Sequence, residues 1–128
     1  MPAQGGHKFG MTWKTVRLEL AGTPDFPNGS AARAYLLRLP LNDDGSVDEA
    51  RLADHPGYAT VRRHWPNQPD KSGYLLRKPA GWAFSFAVSA DDGAPQLRIA
   101  DPIRPGTTAL IAEADGITLP FRIVECGA

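Results

Sequence analysis

Between positions 82 and 88 the chain alternates strictly. Trp82, Phe84, Phe86 and Val88 are large and apolar, while Ala83, Ser85 and Ala87 are small. Only a β-strand turns a period of two into one bulky face and one small face. Lys78-Pro79-Ala80-Gly81 in front of it reads as a tight turn, and Tyr74-Leu75-Leu76-Arg77 as the partner strand. A hairpin over 73–78 and 82–89 therefore anchors the prediction. A plain solvent face would carry Lys, Glu or Thr. Small residues suit the close approach of another element, so the second strand is predicted to be central and covered on both faces.

The same period recurs. In 12–21, Val16, Leu18 and Leu20 alternate with Thr15, Arg17 and Glu19. Residues 31–39 allow a helix capped by Ser30 and ended by Pro40, or a strand with Tyr35, Leu37 and Leu39 on one face; Leu36 and Arg38 complete the alternation and favour the strand. Residues 58–65 read as a strand, 66–72 as a polar loop, and 96–100 as a short strand with Leu97 and Ile99 inward. Residues 108–114 and 117–124 form a hairpin about Asp115-Gly116, with Ile117, Leu119, Phe121 and Ile123 on the apolar face. Pro120 has no amide to donate, which predicts an edge strand or a bulge there. Ser46-Val47-Asp48-Glu49 carries the capping-box pattern and predicts one short helix that packs Val47 and Leu52 and stops before Pro56. The fold class is mainly β: a compact antiparallel barrel or two-sheet sandwich of about seven strands with one short helix.

Length and composition narrow the picture. A chain of 128 residues is the size of one domain. Residues 1–11 are Gly-rich without apolar periodicity and are expected to be a flexible N-terminal tail, with Met11 an alternative start; 12–128 is then a single β-rich domain. Lys plus Arg and Asp plus Glu both number 14, so the net charge is zero and gives no global argument for nucleic acid. One cysteine, Cys126, precludes an internal disulfide and fits a reducing compartment, so a cytoplasmic location is expected. No apolar run is long enough for a membrane span, and no membrane association is expected.

The search for catalytic or metal chemistry returns little. His7, His55 and His64 show no ligand spacing, and one cysteine cannot build a zinc site. The run 42–46 imitates a calcium loop, but Pro40 and Arg51 fall where ligands are required, so it reads as a turn into the helix. There is no phosphate loop and no nucleophile elbow. No metal, cofactor or catalytic residue is assigned.

One constellation remains. Arg62, Arg63, Lys71, Arg77 and Lys78 face only Asp70 in charge between positions 62 and 78, with Trp65 and Tyr74 among them. Cations interleaved with rings suit an anionic ligand, with single-stranded nucleic acid as a narrower version. Arg62, Arg63, Trp65, Lys71, Tyr74 and Arg77 are the candidate binding residues. If Arg62 and Arg63 share a strand they face opposite ways, and only one can join Lys71 and Arg77. The acidic stretch 43–54 offers the competing explanation: the two segments pair weakly as solvated surface, and the rings are core. The leading functional reading is a non-catalytic binding or accessory module whose partner is a protein or an anionic ligand. Anion or nucleic-acid binding through 62–78 is the first alternative, and a small enzyme built from scattered polar residues the second.

Overall fold

The computed structural model describes residues 13–79, 81–86, 95–113 and 115–127. The expected tail, residues 1–11, and the far end of the central strand, residues 87–89, lie outside the described residues. Among the described residues eight strands occur in chain order: β1 Trp13–Leu20, β2 Ser30–Pro40, β3 Thr60–Trp65, β4 Gln68–Lys78, β5 Gly81–Phe86, β6 Gln96–Ile99, β7 Thr108–Ala112 and β8 Thr118–Gly127. Between β2 and β3 lie the helix α1, Glu49–Asp54, and a 3-10 turn, Pro56–Tyr58. Each strand pairs antiparallel with the next, and β8 returns to β1, so the sheet is a closed barrel. Closure removes the free strand edges that an open sandwich would leave.

Alternation decides what fills the bore. Val16, Leu18, Tyr35, Leu37, Leu39, Val61, Trp82, Phe84, Leu97, Ile111, Phe121 and Ile123 are all essentially fully buried. The predicted inward faces of β1, β2, β5 and β8 are thus observed, and 31–39 is strand throughout. Tyr35 lies at the centre of an aromatic cluster, 5.2 Å from Phe84, 5.3 Å from Phe121 and 6.4 Å from Trp65 between ring centroids. The interior is a packed core. Ala83, on the outer side of β5, is also buried, which supports cover on the second face at that position.

Several local expectations are corrected. The stretch 66–72 is mostly strand: β3 and β4 meet in a tight hairpin at Pro66-Asn67, where Asn67 takes φ 62°, a conformation Asn tolerates better than most residues. Tyr58 belongs to the 3-10 turn, and β3 begins at Thr60. Asp48, not Ser46, caps α1, its carboxylate accepting from the Arg51 amide at 3.0 Å. Ser46 instead donates to Asp44. Val47 and Leu52 are buried as predicted, Val47 through a bridge to Leu41 ahead of the helix. The β7–β8 turn is closed by the Glu113 and Ile117 backbones, so Asp115-Gly116 is the end of a longer loop and only Gly116 of the pair has positive φ. Ile117 sits in this turn and is 57% exposed rather than inward.

Pro120 lies on a strand paired on both sides, not at an edge, and the bulge against β1 falls farther along, between the Arg17–Glu125 and Leu18–Ile123 pairs. The proline is accommodated because its amide side faces the point where β1 stops. Leu20–Phe121 is the last pair of that ladder, and beyond it the Pro120 carbonyl accepts from Ala21.

Gly81 shows why the β4–β5 turn needs glycine. Its φ is +150°, and a Cβ there would run into the Leu97 carbonyl oxygen. Among the described residues no helix is long and apolar enough to cross a membrane.

Candidate ligand-binding groove

The barrel separates the residues of the 62–78 segment according to strand parity. Arg63 points inward from β3 and Arg62 outward, as alternation requires. Lys71 and Arg77 lie on the same parity as Arg63 but near opposite ends of the barrel, and both are exposed. Arg77 stacks over Trp82 at 4.5 Å and pairs with Glu49 at 2.9 Å. This exposed pair joins the basic segment to the acidic one, and such pairs contribute about 0–1 kcal/mol.

Arg63 is consumed by the core. Its Nη2 lies 3.1 Å from Glu113 Oε1, and its Nε donates to the Tyr35 hydroxyl at 3.1 Å. Tyr35 in turn donates to Glu113 Oε2 at 2.7 Å. Glu113 directly follows β7, and β3 and β7 are four strands apart in the eight-strand ring, so this triad spans the bore. The Arg63 and Glu113 side chains are 12% and 10% exposed. Burial, then the Glu113 carboxylate, pushes the Tyr35 phenol well above its usual range. The Arg63 guanidinium also lies 3.9 Å from the Trp65 ring, and Arg33 lies 5.8 Å from the same ring. Trp65 is half-buried against the core and takes part in this stack. Among the described residues no buried side-chain polar atom lacks a hydrogen-bond partner. The triad is therefore saturated and offers nothing to a ligand.

The outer face is different. A groove of about 440 Å³ lies over β1–β4, formed chiefly by Thr15, Leu36, Arg38, Thr60, Arg62, Ser72 and Tyr74. Register explains the set. Thr15, Arg38, Thr60 and Tyr74 form one row across four strands, and Leu36, Arg62 and Ser72 the next. Arg38 donates to Thr15 at 3.2 Å, and Arg62 approaches Ser72 at 3.4 Å. Neither arginine forms an ion pair among the described residues, and no carboxylate lines the groove. Tyr74 is 54% exposed, with its ring on this face.

Of the six residues singled out from sequence, the groove brings together Arg62 and Tyr74. It adds Arg38, Thr15, Thr60 and Ser72, which the charge pattern did not mark. Arg38 was legible as an outward residue from the Leu37-Arg38-Leu39 alternation, but its closeness to Arg62 required the β2–β3 pairing.

Other candidate chemistry is sparse. Among the described residues no group of three or more His, Cys, Asp or Glu side chains could hold a metal. His55 caps the end of α1 and stacks on Tyr58 at 4.7 Å. Cys126 is half-buried, and burial raises its thiol pKa, which works against nucleophilic reactivity. No known protein family, curated protein or solved structure matches the chain.

Proposed function

We propose that this protein is a cytoplasmic, non-catalytic binding module that captures an anionic ligand in the outer groove of β1–β4. The observation that carries the reading is Arg38 and Arg62 as diagonal neighbours on adjacent strands, partnered by hydroxyls and without a carboxylate in the groove. Arginine forks match the geometry of phosphate and carboxylate oxygens, and such charge-assisted bonds are the stronger class. Thr15, Thr60 and Ser72 supply further donors around the same point. The volume falls within the roughly 300–1,000 Å³ typical of small-ligand sites. Against catalysis, the groove holds no nucleophile hydrogen-bonded to a base, and the buried Tyr35–Arg63–Glu113 triad is closed on itself. The single cysteine of the chain fits a reducing compartment.

The test is titration with inorganic pyrophosphate followed by amide chemical shifts. Shifts should cluster at Thr15, Thr60, Ser72 and Tyr74. Arg62→Met should weaken binding by about 1.5–3 kcal/mol, the worth of a hydrogen bond to a charged group. Shifts scattered over the barrel, or unchanged in the Arg38→Met/Arg62→Met double variant, would refute the site.

A further inference from the structure

We infer that the groove takes one compact anion carried on a planar ring, of mononucleotide size, and not a polyanionic strand. The inference rests on the anion-binding reading above and adds the class of ligand.

The charge immediately around the groove changes sign within one row. Along β1–β4 toward the Leu20 end, the next outward row is Glu19, Ala34 and His64, with Asp70 2.9 Å from His64. Both ends of that row therefore carry a carboxylate. In the other direction the positions beyond Thr15 and Arg38 are Trp13 and Pro40, and Tyr58 packs edge-on against Trp13 at 5.5 Å. Next to Pro40, whose carbonyl accepts from the Asp48 amide at 2.9 Å, begins the segment with Asp48, Glu49 and Asp54 in and around α1. On β1 the Leu36–Arg62 row continues as Arg17, whose guanidinium is held by Glu19 at 2.9 Å, so the positive ground free of ion pairs is an island of two arginines, Arg38 and Arg62. A bound single strand needs cations continued along several phosphates, and here a second or third phosphate would meet carboxylates or an apolar rim.

The shape of the island points the same way. Arg38 and Tyr74 flank Thr60 in one row, and Arg62 lies on the diagonal from each. Diagonal neighbours on adjacent strands lie about 7–8 Å apart. One anionic group can therefore bridge both guanidinium groups while a ring attached to it packs on the exposed Tyr74 face. A bare anion would leave that apolar surface unused.

The experiment compares three ligands by calorimetry at low and moderate salt: adenosine monophosphate, ribose 5-phosphate and a thymidine strand of about twelve nucleotides. Adenosine monophosphate should bind about tenfold or more tighter than ribose 5-phosphate, the ring supplying the difference, as a base stacked on an aromatic side chain does. Tyr74→Ala should bring that ratio close to one. The strand should bind no tighter than the mononucleotide. Its logarithmic salt slope should be no steeper than about −1.4, the value for two phosphate contacts on a single strand. Equal affinity for the two small phosphates would overturn the inference, as would a strand that binds far tighter with a steep salt slope. In both cases pyrophosphate binding abolished by Arg38→Met/Arg62→Met would still uphold the groove as an anion site. Absence of binding by every phosphate probe would overturn the inference and the underlying site together.

Discussion

Replacing Glu113 by leucine probes the most strongly coupled polar element in the barrel. Glu113 accepts from Tyr35 at 2.7 Å and from Arg63 at 3.1 Å, and its side chain is only 10% exposed. Leucine removes both acceptors and leaves the Arg63 guanidinium, itself 12% exposed, without its counter-charge. Removing one partner of a buried pair typically costs about 3–5 kcal/mol, because an uncompensated charge stays in a poorly solvated place. The residual exposure and the remaining contacts of Arg63 with Gln68 and the Trp65 ring place the expected loss near the low end, about 3 kcal/mol. Domains of this kind have about 5–15 kcal/mol of stability in total, so the midpoint of urea unfolding should move far. The companion variant is Arg63→Met/Glu113→Leu, which removes both charges. It should be more stable than Glu113→Leu alone, since the orphaned charge is gone. A loss below about 1 kcal/mol in Glu113→Leu would refute the reasoning, because that is the range of exposed pairs. A double variant as unstable as the sum of the singles would refute it too.

Three further outcomes are expected. Phe84→Ala, deep in the bore, should cost about 3–5 kcal/mol by thermal or urea unfolding, and Ala83→Glu should also destabilise because its outer-face position is buried; a neutral Ala83→Glu would mean that face is open. Stability should fall as pH rises above about 8.5, and more steeply above about 10, because Cys126 and Tyr35 have raised values in the fold and the unfolded chain releases their protons first. Cys126→Ser should remove the earlier part of that decline and Tyr35→Phe the later part, and a pH profile unchanged by both would contradict the assignment. Gly81→Ala should destabilise by about 1–3 kcal/mol through backbone strain and the clash with the Leu97 carbonyl, whereas an unaffected melting temperature would show that the turn can relax.

The candidate site was half legible. Arg62 and Tyr74 stood out as a cation and a ring within the basic segment, and the structure places both in the groove. Trp65 stood out for the same reason, yet its ring is engaged by Arg63 and packed against Tyr35 and Phe121. Composition cannot separate the two cases. Both rings lie in a basic segment, and only strand parity distinguishes an inward position from an outward one. Parity, moreover, depends on where the hairpin turns. Reading 66–72 as a loop left β4 without a register, so Lys71 and Arg77 could not be assigned to ends of the barrel. Glu113 carried no local signal, because its partners are 50 and 78 residues away.

What the sequence determined by itself was each strand's own division of residues. Side chains at i and i+2 share a face whatever the strand's neighbours, so Val16, Leu18 and Leu20, or Trp82 and Phe84, had to turn the same way. Cap and turn chemistry likewise acts over a few residues, which is why one short helix near Asp48 and the turn before Gly81 could be read in advance. The tertiary structure decided what lies across from what. Closure of β8 onto β1 chose a barrel over a sandwich. Pairing of β2 with β3 set Arg38 beside Arg62, and the ring geometry brought Arg63 and Glu113 together from opposite walls. Those relations depend on register between distant segments, fixed by how the inward side chains fill one shared interior, and no local period in the chain encodes them.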